Sequence, residues 1–166
     1  HIGYGVESGD QRILDAMHKN ETIEEIEKAV RVSRAVGLRT KGFFMVGFPG
    51  ETRQSLRLTR ALALRLPLDD ISVMQLTPFP GTELYETAHT FGSFERDWRK
   101  MNTLNTVFIP HGFTSQELNE ARREIYTAFY LRLGVVLKKI ADVIRAPRLF
   151  RYYFRAFLIL LRLQAE

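Results

Sequence analysis

One unit recurs three times along the chain: a short apolar run, a loop rich in glycine, proline and carboxylate, and a stretch whose apolar residues fall at helical spacing. The first copy is Ile2-Gly-Tyr-Gly-Val-Glu7, then Ser8-Gly-Asp10, then residues 11–17 with Ile13, Leu14 and Met17 on one side. The second is residues 39–46, the loop Gly47-Phe-Pro-Gly50, and a helix opened by Glu51 and Thr52 with Leu58, Leu62 and Leu66 at i+4. The third is residues 71–77, the loop Pro78-Phe-Pro-Gly-Thr82, and residues 83–89. Strands alternating with helical stretches at such spacings read as βα units of a parallel α/β fold. Right-handed crossovers put every strand-to-helix loop at the same end of the sheet, and ligands of such sheets sit at that end. Glu7 and Ser8, residues 47–51 and residues 77–83 are therefore expected to line one rim.

The middle copy is the most informative. Phe43-Phe-Met-Val46 is an unbroken apolar run, which suits a strand buried on both faces. Gly47 and Gly50 lack a Cβ, so the backbone there is free to take positive φ or to approach a ligand. A tight turn that simply needs glycine is the competing reading.

Between the copies, Thr22-Ile-Glu-Glu25 has the spacing of a capping box. It starts a helix with Ile23, Ile26, Ala29, Val30 and Ser33 on one face and Gly37 as its stop. Asp10 is placed to cap the first helix. Pro67 ends the helix of the second copy, and Asp69-Asp70 reads as a solvated turn. Residues 91–110 look irregular. Phe94, Trp98, Met101 and Phe108 are spaced too loosely for one element and are expected to pack that segment across the rim or a barrel edge. Thr114-Ser-Gln-Glu117 is a second capping box, opening a long helix through Leu118, Ile125, Phe129 and Leu133, with Gly134 as a bend and residues 135–144 continuing.

Composition removes several function classes. The 166 residues are 45 % hydrophobic, enough for the core of one ordinary domain. There is no cysteine, which excludes disulfides, thiolate metal sites and any iron–sulfur cluster held by this chain's own thiolates; a reducing cytoplasm is compatible with that. The net charge of +5 is unevenly spread: residues 1–131 hold 16 Lys/Arg and 17 Asp/Glu, whereas residues 132–166 hold 8 and 2. The basicity therefore belongs to the tail and says nothing about a nucleic-acid face on the main body. Residues 148–163 interleave arginines with aromatic and aliphatic residues, and no run reaches the ~20 apolar residues that span a bilayer. A helix lying on an anionic membrane or docked on a partner is one expectation; a terminal helix packed on the body is the other. His1, His18, His89 and His111 have no ligand spacing. No Ser–His–Asp arrangement is legible, and 47–52 lacks the lysine of a phosphate loop. The chain begins at His1 inside a strand-like run, which reads as a piece of a longer protein.

Three motifs in this order and spacing, Gly5-Val-Glu-Ser-Gly9 with Ile13-Leu-Asp-Ala-Met17, Gly47-Phe-Pro-Gly-Glu-Thr52, and Pro78-Phe-Pro-Gly-Thr82 with Leu84-Tyr85, resemble the carboxyl half of a radical S-adenosylmethionine (radical SAM) enzyme. The subgroup most similar often carries an upstream cobalamin-binding domain. The resemblance covers about residues 1–110 and implies the last three units of a partial parallel (β/α) barrel, with 111–166 as a helical, basic C-terminal extension. In that family a Cys-x3-Cys-x2-Cys loop holds a [4Fe–4S] cluster that binds S-adenosylmethionine and cleaves it to a 5′-deoxyadenosyl radical. The resemblance gives Glu7 and Ser8 to the ribose or methionine part of that ligand. It gives Met45 to adenine, Gly47 with Phe48 to backbone room, and Glu51 to support of the loop. Thr77 and Phe79 fall on the substrate side. Phe43 stands where the family has glycine, which weakens the adenine contact at that position.

With no cluster cysteines, the expectation is a fragment that is inactive by itself. Its partners would be the missing amino-terminal half of the barrel and a small-molecule substrate, not nucleic acid. It would be cytoplasmic, with peripheral membrane contact through the tail. Oxidoreductase and methyltransferase chemistry both remain open. A non-catalytic module that binds a membrane or partner through its tail, and an ordinary metabolite-binding α/β domain, are the alternatives.

Overall fold

The three apolar runs form parallel strands, β1 (Ile2–Glu7), β2 (Thr40–Val46) and β3 (Asp70–Gln75), in the spatial order β1-β2-β3. The computed structural model describes residues 1–147, 150, 151 and 154. Between the strands run α1 (Gln11–Ala16), α2 (Ile23–Ala35) and α3 (Arg53–Arg65). After β3 come α4 (Glu83–Thr87), a single 3₁₀ turn (Ala88–Thr90), an antiparallel pair β4 (Gly92–Phe94) and β5 (Phe108–Pro110), then α5 (Ser115–Tyr130) and α6 (Leu133–Arg145). This is a mixed α/β arrangement on a three-stranded parallel sheet, and the described strands close no barrel.

The helix starts follow from local chemistry. Thr22, Thr52 and Thr114 each accept from the amide three residues on. Glu25, Ser55 and Glu117 reach back to the threonine amides, which satisfies two otherwise orphaned donors per helix. Asp10 caps α1 through the Arg12 amide. Gly37 follows α2 at φ +81°, a conformation that costs glycine little and other residues more.

The helices cover one face of the sheet. Val6, Phe44, Val46, Ile71 and Val73 point into a core shared with Ile26 and Val30 of α2, Leu62 and Ala63 of α3, and Ile125 and Phe129 of α5. Fully burying a side chain such as Phe44 is worth roughly 1.5–3 kcal/mol, so this face is the main source of order. On the other face Phe43, Met45, Ser72 and Met74 are only half-buried. The unbroken run at 43–46 therefore does not report a strand covered on both faces: burial alternates along β2.

Other expectations change for physical reasons. On α3 the buried residues are Ser55, Leu56, Thr59, Leu62 and Ala63, and Leu58 lies outside the contact, because the face is set by the sheet and by residues 8–10. The helix after Thr114 stops at Tyr130. Arg132 takes an extended conformation (ψ 130°) and α6 restarts at an exposed Leu133, so the break precedes Gly134. Residues 91–110, read as irregular, contain β4 and β5. Phe94 and Phe108 do cross to the rim, packing with Leu76, Ala88, Met45, Phe48 and Leu84, while Trp98 stays exposed. β3 ends at Gln75, two residues early, where Thr103 O accepts the Gln75 amide and Asn102 O accepts the Thr77 hydroxyl.

Asp69-Asp70 is no solvated turn. Asp69 accepts the Thr40 amide at 2.9 Å, pairs with Arg34 at 2.9 Å and holds Lys138 of α6. Burial pushes its carboxyl up, but Lys138, the Thr40 amide and Arg34 together bring it below the usual carboxylate value. Asp70 accepts from the Tyr130 hydroxyl, whose titration burial pushes far up. The 148–163 segment lies outside the described residues apart from 150, 151 and 154.

Candidate functional site at the carboxyl ends of the strands

The parallel order brings the three strand-to-helix loops to one end of the sheet, as the repeated unit implies. Each loop is built differently.

At β1 the register with β2 slips between Gly5 and Glu7, and Glu7 takes φ +60°. A non-glycine residue in that region is uncommon and costs about 1–3 kcal/mol, held only where surroundings fix it. The slip turns Glu7 onto the half-buried face, over Gly5. A Cβ on Gly5 would stand 2.7 Å from Glu7 Oε1 and 3.0 Å from Lys19 Nζ, so carboxylate and ammonium converge above bare backbone. Glu7 Oε2 is buried with no hydrogen-bond partner. Burial raises the Glu7 pKa, Lys19 opposes that and Glu21 adds to it. Lys19 itself pairs with Glu21 at 3.7 Å.

The neighbouring residues face the other way. Ser8 is 1 % exposed, its hydroxyl lying 3.3 Å from that of Thr59 and accepting the Asp10 amide at 3.1 Å. The Gly9 amide donates to Thr59 Oγ1 at 2.9 Å. Ser8 thus ties the loop to α3, while Glu7 meets the half-buried face. Asp10 is buried and held below the usual carboxylate range, foremost by its hydrogen bond to Arg12.

At β2 the loop folds around a carboxylate. Glu51 is 6 % exposed and accepts the Gly47 amide at 3.2 Å, the Phe48 amide and the Ser55 hydroxyl. Its own amide donates back to Phe48 O at 2.9 Å. Burial raises the Glu51 pKa, and those three donors hold it down in part, with Asp10 pushing it up. Gly47 needs glycine for its φ of +90°; its missing Cβ would face Leu118 at 3.4 Å, on the α5 side. Phe48 and Met45 meet in the cluster with Leu76 and Phe108.

At β3, Thr77 is buried under the Asn102 carbonyl and Phe79 is largely exposed. Gln75 is 1 % exposed, donates from Nε2 to Asn119 Oδ1 at 3.1 Å, and leaves Oε1 without a partner.

The rim therefore gathers Glu7, Lys19, Met45 and Phe48 around half-buried surface, with Gly47 and Glu51 as the frame beneath. Ser8 and Thr77 are turned into packing. Lys19, Ser55, Thr59 and Gln75 were not legible as site residues in the sequence. The signal for Lys19 was faint: His18 and Asn20 flank it with φ of 54° and 53°, doubling the chain back toward β1, and both are residue types that enter the left-handed region more readily than most. The described clefts lie elsewhere. One of about 270 Å³, lined by Arg34, Asp69, Arg132 and Lys138, is at the opposite end of the sheet, and another opens between α3 and α5.

The family model of the radical SAM superfamily matches residues 1–63, the stretch that carries Glu7, Lys19, Met45, Gly47 and Glu51. Those 63 residues carry the superfamily's pattern, and the chain is similar to proteins of that kind beyond them. An uncharacterized methyltransferase of Pyrococcus horikoshii is 35 % identical over 162 residues, covering 93 % of this chain and 35 % of that protein. An anaerobic magnesium-protoporphyrin IX monomethyl ester cyclase of Cereibacter sphaeroides is 29 % identical over 132 residues, 80 % of this chain and 21 % of the relative. A tRNA-2-methylthio-N(6)-dimethylallyladenosine synthase of Neisseria meningitidis is 32 % identical over 109 residues, 64 % of this chain and 24 % of the relative. The chain thus spans about a third or less of the length of these curated relatives.

Radical SAM proteins work with S-adenosylmethionine and a [4Fe–4S] cluster. The residues present fit the first of these. An orphaned buried carboxylate oxygen beside an ammonium suits a polar, zwitterionic ligand, and the apolar Met45–Phe48 surface next to it suits a flat ring. They do not fit the cluster: the sequence has no cysteine, and among the described residues no group of three His, Asp or Glu stands close enough to hold a metal ion.

Proposed function

We propose that this chain is the carboxyl-side part of a radical SAM catalytic domain and supplies half of the S-adenosylmethionine site, the cluster being held by a segment outside the chain. The observation that carries the reading is Glu7. Its carboxylate is held at the carboxyl end of β1 in a costly backbone conformation, with one oxygen buried and unpartnered and Lys19 at its side. In this reading Glu7 accepts from the ligand's ribose hydroxyls or ammonium group, and Ser8 fixes the Glu7 loop from below. Met45 and Phe48 contact adenine, and Glu51 holds the Gly47–Phe48 amides in place. Phe79, exposed after β3, stands toward a small-molecule substrate, and Thr77, expected beside it, holds the loop at Asn102 O instead. When bound, S-adenosylmethionine would supply the radical chemistry, and the residues here would bind and orient that ligand.

The edge of the sheet supports this reading of the partner. Among the described residues β1 pairs only with β2, so its outer edge is available to a preceding parallel strand. We read that strand as belonging to the amino-terminal half of the barrel. An upstream cobalamin-binding segment is the finer part of the proposal, and methyl transfer and cyclisation, named for two of the relatives, are the reaction classes it covers. Reading the frame upstream of the His1 codon for a Cys-x3-Cys-x2-Cys run tests the assignment of the missing half.

The site is tested by S-adenosylmethionine binding to this chain joined to its cluster-bearing segment. Glu7→Gln should weaken binding by tenfold or more, with unchanged far-UV circular dichroism, which corresponds to about 1.4 kcal/mol. Unchanged affinity in Glu7→Gln and Lys19→Ala would remove β1 from the site.

A further inference from the structure

α6 presents an apolar stripe to solvent. Leu133, Leu137, Ile140 and Ile144 are spaced 4, 3 and 4 apart, so they fall on one line of the helix, and they are 51–74 % exposed. The side toward the body carries Val135 and Asp142, with Asp142 paired to Arg39 at 3.0 Å. At 100° per residue, Lys139 stands about 100° round from Ile140 on one side of the stripe and Arg145 about 80° round from Leu137 on the other, so both lie between the exposed sector and the side toward the body. Just beyond α6, Phe150 and Phe154 add two exposed rings stacked 5.7 Å apart.

We propose that α6 is a membrane-surface helix that lays this stripe into the headgroup boundary of an anionic bilayer. Charge selects the occupant. Residues 132–166 carry 8 Lys/Arg against 2 Asp/Glu. A second copy docked on the same stripe would bring two strongly positive segments together, whereas an anionic lipid surface complements them. Four aliphatic side chains in a line have nothing to meet on a nucleic acid or on a purely acidic protein surface; acyl chains accommodate them. The flanking cations have long aliphatic stems that let the charge reach the headgroups while the stripe sinks. At ~1.5 Å per residue the 13-residue helix is about 20 Å long, and no described helix is long and apolar enough to cross a membrane. It would lie on the surface rather than span it. The proposal is independent of the radical SAM reading.

The test is co-sedimentation of the 166-residue chain with phosphatidylcholine vesicles, with and without phosphatidylglycerol. Binding is expected only with phosphatidylglycerol, falling several-fold as salt rises from about 0.1 to 0.5 M. Leu137→Glu/Ile140→Glu should lose at least tenfold in partitioning while keeping its unfolding midpoint, since both side chains already face water. The emission of a Leu137→Trp variant should move to shorter wavelength when anionic vesicles are added. Absence of vesicle binding, or binding that the double variant leaves intact, overturns the proposal. So does a lowered unfolding midpoint in the double variant, which would mean that residues 148–166 of the same chain cover the stripe. A concentration-dependent dimer in sedimentation velocity that the double variant abolishes assigns the stripe to a second copy, and the proposal falls.

Discussion

Replacing Glu51 tests the idea that a buried carboxylate, rather than glycine alone, shapes the loop after β2. Glu51 sits 6 % exposed and takes the Gly47 and Phe48 amides and the Ser55 hydroxyl. Ser55 keeps a second acceptor, Thr52 O at 2.8 Å, so its loss of Glu51 costs little. The two amides have no such reserve. Each buried donor left without a partner costs about 1–3 kcal/mol; water entering from the rim offsets part of this, so Glu51→Ala should destabilise by about 2–4 kcal/mol. For a chain of this size that is a fall in Tm of roughly 5–15 °C. Glu51→Gln keeps one acceptor oxygen and should cost only about half as much. The pH dependence separates this reasoning from a generic packing defect. Burial raises the Glu51 pKa above its ordinary 4.5, so the folded state holds its proton more tightly than the unfolded state. The stability this provides is complete below about pH 4.5 and is lost as pH rises through the raised value. Glu51→Gln cannot lose it. The difference between wild type and Glu51→Gln should therefore shrink from pH 4.5 toward neutrality in urea unfolding followed by circular dichroism. A difference that grows with pH, or a Glu51→Ala loss below 0.5 kcal/mol, would refute the account.

Two further perturbations probe the frame. Gly9→Ala would place its Cβ 2.3 Å from Leu58 O and 2.6 Å from the Thr59 amide nitrogen, both backbone, so α3 must move off the loop; a loss of about 1–3 kcal/mol is expected in chemical unfolding, and near-neutral behaviour would show that the contact is loose. Asp69→Asn keeps an acceptor for the Thr40 amide but weakens the attachments to Arg34 and Lys138, for a loss of roughly 1–3 kcal/mol at neutral pH. Because the Asp69 pKa is lowered from 3.8, its contribution is present above that value and lost as pH falls through the lowered one, so the variant should approach wild type in acid.

The order of elements and the rim were legible because they rest on local signals: apolar runs of strand length, threonine capping boxes, and glycine or proline at each loop. Those signals act over a few residues and need no tertiary context. What stayed hidden depends on contacts between distant residues. Leu58 has the right spacing for the α3 core face, yet Thr59 takes that place, because Ser8 and Gly9 dock there. Asp69-Asp70 has the composition of a turn; its role arises from Arg34 and Lys138, 35 and 69 residues away. The stop at Tyr130 is invisible in a sequence with no proline or glycine until Gly134; it reflects the docking of Arg132 on Leu64 O and over the Phe129 ring.

The site divides along the same line. Gly47 and Glu51 were readable because their geometry is set within one loop, the carboxylate closing onto amides three and four residues before it. Glu7 was readable as a residue type, but not its conformation, nor the fact that its neighbour Ser8 turns away to α3. Lys19 left only the faint signal of His18 and Asn20, since it reaches Glu7 because the chain doubles back at residues 18–20. That asymmetry bears on the chemistry. A carboxylate alone at the carboxyl end of β1 would suit any hydroxylated ligand or cation, whereas a carboxylate and an ammonium converging over the bare backbone of Gly5 suit a ligand carrying both charges. Gly5 is what makes the convergence possible: any side chain there would displace Glu7 Oε1 or Lys19 Nζ. In the reading proposed above, ligand class at the end of β1 rests on Gly5, Glu7 and Lys19 together, of which Lys19 alone lies outside the sequence motif.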